Sequence, residues 1–600
     1  MKRILPLLFI AALFACNSPE TTKREAQEFI DSYTEQYLKH YSETSEAQWS
    51  ANTEIIPGDS LNEVIAKRAS EAMAKFTGSV EVITKAKNYL AKKEALDDLQ
   101  IRQLESILYA AANNPQTAKE LVNKRIAEEA AQTTAMYGYQ FMLNGDSVSP
   151  NKLDEILSQE ADLARRLAAW ESSKAIGSVL KDRLVELRKL RNAVVQDLGY
   201  KDYFDYQVSS YGLSSSEMME LMDKLIEDIW PLYRELHTYA RYELAKKYKV
   251  DEVPDLIPAH WIGNRWAQDW SDMVEVEGLD LNAALKQKEA SWIIEKGEDF
   301  YKSLGFPALP KTFYEKSSLY PFPDDSLVKK NTHASAWHMD LQNDVRSLMS
   351  VESNASWWET VHHELGHVYY FMAYSSEEVP PLLREGANRA YHEAVGSLIG
   401  LASMQAPYLK GQGLIPEDAQ ADEIQLMLKE ALNFVVFIPF SAGTMSHFEK
   451  ALYADKLDPM QFNKVWWDQV KAYQGVVPPT ERGEEFCDAA TKTHINDDPA
   501  QYYDYALSYA LLFQMHQHIA ANILGQKATA TNYYGSKETG AFLKGILEKG
   551  ATEDWQKVLK ESTGEDLNGK AIVKYFEPLM QWLKEANKDR KYSLGEKPML

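Results

Sequence analysis

The chain has 600 residues, with 65 basic against 88 acidic side chains, and a formal charge of −23. An acidic surplus spread along the sequence excludes electrostatic binding of nucleic acid, and two cysteines are too few for a disulfide-built scaffold. No Gly/Ser-rich or Pro-rich linker, repeat period or low-complexity tract divides the chain, so residues 16–600 read as one large unit.

At the start, Lys2 and Arg3 precede an apolar run from Ile4 to Phe14 that is too short for a permanent membrane span. Leu13-Phe14-Ala15-Cys16 then resembles a bacterial lipobox. The expectation is a signal peptide over residues 1–15, lipidation of Cys16, and a mature protein tethered in the cell envelope through that anchor alone. Asn17 after the cysteine favours the outer membrane. Cys487 would be the one remaining thiol, so no intramolecular disulfide is expected.

Further along, residues 117–135, 153–195 and 215–248 are rich in Ala, Leu, Glu and Lys and carry helical periodicity, while alternating strand patterns are few. The fold class that follows is mainly α.

The stretch WWETVHHELGHVYYFMAY, from Trp357 to Tyr374, predicts a helix, with Asn354 or Ser356 as its cap and Pro380-Pro381 preventing continuation. It contains His-Glu-x-x-His. His363 and His367 are four residues apart, so their imidazoles lie on one face a turn apart and can converge on a metal ion. Glu364 beside them is placed to take a proton from water that the metal activates. His362 points about 100° away and reads as a packing residue.

A catalytic zinc site normally has three protein ligands. The metzincin extension is absent, since Tyr370 and Ala373 stand where it requires Gly and His. EGANRAYHEAVGSLIGLAS predicts the next helix, opening near Gly386-Ala387-Asn388. Glu393 adjoins its apolar face, where a carboxylate is costly unless paired or metal-bound. His392 competes with it as a ligand, and Glu385 reads as a solvated charge at the helix start.

HHELGH followed by REGANRAYHEAVG resembles the angiotensin-converting-enzyme family of zinc peptidyl-dipeptidases, and by that resemblance Glu393 is the third ligand of one Zn2+. The likeness continues in AQWSANTEI (47–55), IPAHWIGNRWAQDWS (257–271), THASAWHMD (332–340), WWDQVKAYQG (466–475) and KTHI (492–495), which span nearly the whole mature chain. It implies a large helical metallopeptidase of the gluzincin type, with two halves around a deep cleft and an N-terminal helical lid, here residues 22–110. Short peptides with a free C-terminus are the implied substrates.

The same resemblance assigns Gln268, Lys492 and Tyr502 to the substrate's terminal carboxylate, and a cation with two neutral hydrogen-bonding groups suits that task. It gives His333 and His494 the peptide backbone around the scissile bond, with the main chain of Ala334, and Tyr505 the developing oxyanion. Matching the two tyrosines requires one extra residue between His494 and Tyr502. Ser397 stands where the family has an outer-shell Asp, a loss that can lower metal affinity about 10- to 100-fold unless another group substitutes. The chloride-binding arginines of the family are matched by Val208, Val470 and Asp504, so no chloride requirement is expected. Asp504 either takes over the ion's orienting role or merely caps a helix start.

The activity expected is release of C-terminal dipeptides with Glu364 as base and Tyr505 and His494 assisting. The alternatives are an oligopeptidase or carboxypeptidase with the same centre, or a catalytically silent zinc-binding envelope protein.

Overall fold

The computed structural model describes residues 19–276, 281–323, 325–419 and 422–598. The leader and the lipidation candidate Cys16 lie outside the described residues. As expected, helices dominate. The strands described form three two-stranded sheets: β1 (Phe141–Leu143) antiparallel to β2 (Asp146–Val148), β3 (Ile257–Pro258) parallel to β6 (Val476–Val477), and β4 (Ser335–His338) antiparallel to β5 (Val345–Leu348). In the last pair Ser335 faces Leu348 and His338 faces Val345.

Four helices open the described chain: α1 (Pro19–Thr53), α2 (Leu61–Thr77), α3 (Val80–Leu90) and α4 (Asp98–Ala112). Their starts follow local chemistry. Ser79 accepts the Val82 N–H at α3, and Asp97 with Gln100 forms a capping box at α4. These helices pack on a small core of their own, Ile30, Tyr33, Val82, Ala86, Leu104 and Ile107, joined by Leu382. A second, larger core runs from Ala112 to Leu594, and Trp49, Met339 and Leu348 form a small third cluster with Trp337.

Several of the contacts holding the four-helix layer to the body fall near the β4–β5 hairpin. The Tyr41 hydroxyl donates to the His338 carbonyl at 3.0 Å, Trp49 meets Trp337 edge-on at 5.5 Å, and Arg346 holds Glu46. Ile55 and Lys329 exchange backbone hydrogen bonds of 2.8 and 2.7 Å. The aromatic pair contributes about 0.5–1.5 kcal/mol, and the ion pair less, because Glu46 is largely in water.

The periodic segment 153–195 is not one helix. It is three, Pro150–Gln159, Leu163–Lys174 and Ile176–Gln196. The Glu160 carboxylate accepts the N–H groups of Ala161 and Asp162, and Asp162 caps the second helix, so local side-chain bonds replace the helical ladder there. Near the second break, Gly177 lies so close to the Cys487 carbonyl that a Cβ would be 2.2 Å away. The third periodic segment is continuous, as α5 (Ser215–Lys247), which opens on a Ser214/Glu217 capping box and buries Leu225, Ile229, Leu232 and Leu236 in the core.

Four helices frame the candidate site, together with the segments that bear Gln268, Lys492, His494 and Tyr502: α6 (Ala355–Tyr374), α7 (Arg389–Ser403), α8 (Glu423–Ile438) and α9 (Tyr503–His518). Asn354 caps α6 by accepting the Trp357 N–H, and Asn388 caps α7 by accepting that of Tyr391. Beyond α8 the chain continues as a π-helical stretch, Pro439–Met445, which re-aims Phe440.

Candidate active site

His363 and His367 face one another on α6 with their Nε2 atoms 3.1 Å apart. Glu393 on α7 completes a triangle, its oxygens 3.8 Å from His363 Nε2 and 4.0 Å from His367 Nε2. Around a tetrahedral zinc with bonds of about 2.0–2.1 Å, ligand atoms stand roughly 3.3 Å apart, so small rotamer shifts bring this set to bonding distance. Burial holds both imidazoles near pKa 4, lowered further at His363 by His367, so each is neutral and free to coordinate. The donor set fits zinc.

This closeness depends on two glycines. A Cβ on Gly366 would lie 2.9 Å from the Gly396 Cα, and one on Gly396 would lie 3.0 Å from the His363 ring. Glycine at each position costs roughly 1 kcal/mol of helix stability, and it lets α6 and α7 approach until Glu393 reaches the histidines.

Glu364 is buried beside the triangle, and its Oε2 has no hydrogen-bond partner among the described residues. Burial, with Glu393 nearby, raises its carboxyl to about 8. His362 is the packing residue expected, with Nδ1 2.7 Å from the Trp358 carbonyl and Nε2 3.3 Å from the Tyr408 hydroxyl. His392 does not join the triangle. Its Nδ1 lies 3.4 Å from His367 Nδ1, the nitrogen of His367 that points away from the other ligands, and its ring packs on Tyr370. Ser397 is half-buried, and no hydrogen bond joins it to either histidine among the described residues.

Glu385 is exposed, as expected of a solvated charge, but it lies ahead of the helix rather than in its first turn. It precedes the Asn388 cap by three residues in non-helical chain, and although solvent reaches it, surrounding protein raises its carboxyl to about 7. Its charge is felt by Tyr37 and Tyr41 of α1 and by Tyr370 and Tyr374 of α6.

The chain brings together five further residues singled out from sequence. The Lys492 ammonium donates to Gln268 Oε1 at 2.7 Å, the Tyr502 hydroxyl reaches the same oxygen at 3.4 Å, and the ammonium stands 4.4 Å from the Trp266 ring centre. The π-helical stretch and the end of α8 supply Phe440, 5.5 Å from the Lys492 ammonium, and Phe437, stacked on Tyr502. Lys492 is 4% exposed, and no carboxylate forms an ion pair with it among the described residues. Burial, reinforced by Arg265, lowers it to about 7. His494 Nε2 lies 3.3 Å from the Tyr505 hydroxyl, and the Tyr505 phenol responds to the charge of Glu393, which ties this group to the histidine pair.

Two residues before Tyr502, Ala500 has a φ of +59° that makes a tight left-handed turn, and its N–H donates to buried Glu449 at 2.6 Å. Such a conformation costs a non-glycine residue roughly 1 kcal/mol or more. Ala334 is half-buried ahead of β4. His333 is exposed, and its ring joins none of these groups among the described residues; its backbone N–H donates to Asn331.

Val208 and Val470 are buried apolar residues. Asp504, in the first turn of α9, does not cap its helix. Its Oδ1 accepts the Tyr211 hydroxyl at 2.5 Å, and its Oδ2 lies 3.3 Å from Arg389 Nε. Arg389 also binds Asp498 through both terminal nitrogens, at 3.0 and 2.6 Å. Burial raises Asp504 to about 7 despite Arg389. Sequence reasoning missed Arg389, Tyr211 and the Gly366/Gly396 pair, although glycines inside apolar helical patterns were a signal of close approach.

A family model described as angiotensin-converting enzyme matches residues 20–596. The angiotensin-converting enzyme-related protein of Drosophila melanogaster is 31% identical over 97% of this chain and 94% of its own length. The angiotensin-converting enzyme of Theromyzon tessulatum is 28% identical over 96% of this chain and 95% of its own. That of Mus musculus is 29% identical over 95% of this chain and 44% of its own.

Proposed function

This chain belongs to the angiotensin-converting enzyme family of metallopeptidases, and from that premise we propose that it releases dipeptides from the free C-terminus of short peptides. His363, His367 and Glu393 would hold one zinc ion, which when bound supplies a Lewis acid that polarises the scissile carbonyl and acidifies water. Glu364 takes the proton of the attacking water on its unpartnered carboxylate and delivers it to the leaving amine. The Tyr505 hydroxyl, beside His494, donates to the oxyanion as it develops. His333 and the Ala334 main chain hold the peptide backbone about the scissile bond. Lys492, Gln268 and Tyr502 bind the terminal carboxylate.

The observation that carries this reading is the Lys492 ammonium, buried in an aromatic and amide setting without an anionic partner. A buried cation left unpaired is costly, and a peptide carboxylate relieves that cost. It also supports a defined register, since a terminus bound there is held relative to the histidine pair.

Asp504 stands in for an anion by bridging Tyr211 and Arg389, and so the enzyme works without chloride. The mature protein is held in the bacterial cell envelope by acyl chains on Cys16. Incubating the purified protein with a peptide mixture and reading products by mass spectrometry tests the register: C-terminal dipeptides are expected. Internal fragments or single terminal amino acids would point to an oligopeptidase or a carboxypeptidase, and intact peptides to a silent zinc protein.

A further inference from the structure

Arg389 is the first residue of α7 after the Asn388 cap, a place where the helix dipole disfavours a cation. Its guanidinium is engaged by two other segments. Both terminal nitrogens hold Asp498, at 3.0 and 2.6 Å, and Nε lies 3.3 Å from buried Asp504. Each partner adjoins a residue of the candidate site. Asp498 follows the short helix Thr493–Asp497, and its N–H donates to the His494 carbonyl at 3.1 Å. Asp504 directly precedes Tyr505 in the first turn of α9, with its Oδ1 fixed by the Tyr211 hydroxyl.

Arg389 itself stands one turn before Glu393 on the same face of α7. One guanidinium thus joins the three elements that bear Glu393, His494 and Tyr505. Its planar fork can hold two carboxylates at set angles, which a single ammonium cannot do. The link extends to the phenol: burial raises Tyr505 to about 12, Arg389 opposes that rise, and Glu393, Asp498 and Asp504 add to it.

We propose that Arg389 is a positioning residue for Tyr505: anchored on α7, it holds Asp504 and Asp498 so that the Tyr505 hydroxyl, beside His494, keeps its place relative to Glu393 and the histidine pair. This rests on the oxyanion role given to Tyr505 above. A donor to an oxyanion acts through preorganisation, and a displacement on the order of 1 Å forfeits about 10²-fold in rate. No hydrogen bond joins Arg389 to Gln268, Lys492 or Tyr502 among the described residues, so its loss should fall on turnover rather than on binding of the substrate's terminus.

A double-mutant cycle on the zinc-loaded enzyme tests this. Arg389→Ala is expected to lower kcat at least ten-fold, with KM changed less than about three-fold and zinc near stoichiometric by metal analysis. In a Tyr505→Phe background the same substitution should cost less than two-fold, because the hydroxyl it positions is gone. The Arg389 side chain is 43% exposed, so free guanidinium can reach the vacated place; millimolar guanidinium acetate should restore part of the lost kcat, and ammonium acetate at equal ionic strength should not. Asp498→Asn, which loosens the same fork from its other side, should show the same kcat-only loss and the same dependence on Tyr505, and serves if Arg389→Ala does not fold. An equal loss in both backgrounds, an effect on KM alone, unchanged turnover or equal rescue by both salts overturns the proposal. Tyr505→Phe that slows turnover while Arg389→Ala adds its full loss sinks only the positioning role. Products other than dipeptides, with the coupling intact, sink the proposed cleavage register and leave the role of Arg389 standing.

Discussion

The two sides of the candidate site are built in opposite ways. The histidine side comes from two consecutive helices, α6 and α7, within 31 positions from His363 to Glu393, and the backbone period alone sets two of its three ligand atoms. The carboxylate side draws on Gln268, Lys492 and Tyr502, so that one hydrogen bond joins positions 224 apart. Its charge balance is also opposite: neutral imidazoles and a reluctant acid on one side, a reluctant cation on the other. On the proposed function, chemistry that tolerates no positional error sits on a local scaffold, and recognition of the substrate's end sits where distant segments must all be folded first.

Breaking the first side should have the largest effect. Glu364→Gln is expected to lower kcat by about 10³-fold or more while near-stoichiometric zinc remains by metal analysis, whereas His363→Ala loses both. Wild-type turnover in Glu364→Gln would remove the base from the mechanism. The second side should answer next. Amidating a substrate's C-terminus is expected to lower kcat/KM by roughly 10²-fold, as when a buried charged partner is left unpaired. Lys492→Met should bring acid and amide substrates together, and equal rates in the wild type would reassign Lys492 to structure.

A smaller and sharper effect is expected with pH. Lys492 carries its charge below about 7 in the free protein and loses it above, so the advantage of acid over amide substrates should shrink as pH rises through that value. Taking the acid-to-amide ratio of kcat/KM cancels groups common to both substrates, Glu364 included. A ratio flat from pH 6 to 9 would contradict the role given to Lys492. The smallest effect is an expected near-zero: at constant ionic strength, replacing chloride by acetate should change kcat/KM by less than about two-fold. Several-fold activation by chloride would show that the Asp504 bridge does not replace an anion.

Sequence legibility follows the same division. The α6 helix, its Asn354 cap and the convergence of His363 and His367 are consequences of spacing, and all are found as read. Glu393 needed the family resemblance, because spacing alone left His392 open and only the approach permitted by Gly366 and Gly396 decides between them. Lys492, Gln268 and Tyr502 were legible solely as members of a pattern. They meet through segments such as the turn at Ala500 and the π-helical stretch, neither of which has a periodic signature. The interruption of 153–195 was hidden because Glu160 and Asp162 also suit a helix and act here through their own side-chain bonds.

One feature of α1 bears on mechanics. Its 35 residues make a rod of about 52 Å, and its ties to the hairpin and the 329–331 strip, from Tyr41 to Ile55, lie toward its far end. Pro19, at the other end, follows Cys16 by only three residues. An acyl tether there would pull on the rod at the end opposite its latch, and thermal undulation of a lipid surface would exert torque on the four-helix layer before it moved the body beneath. Releasing the protein from its anchor would then alter how often the interior is open to peptides, with every residue of the site unchanged.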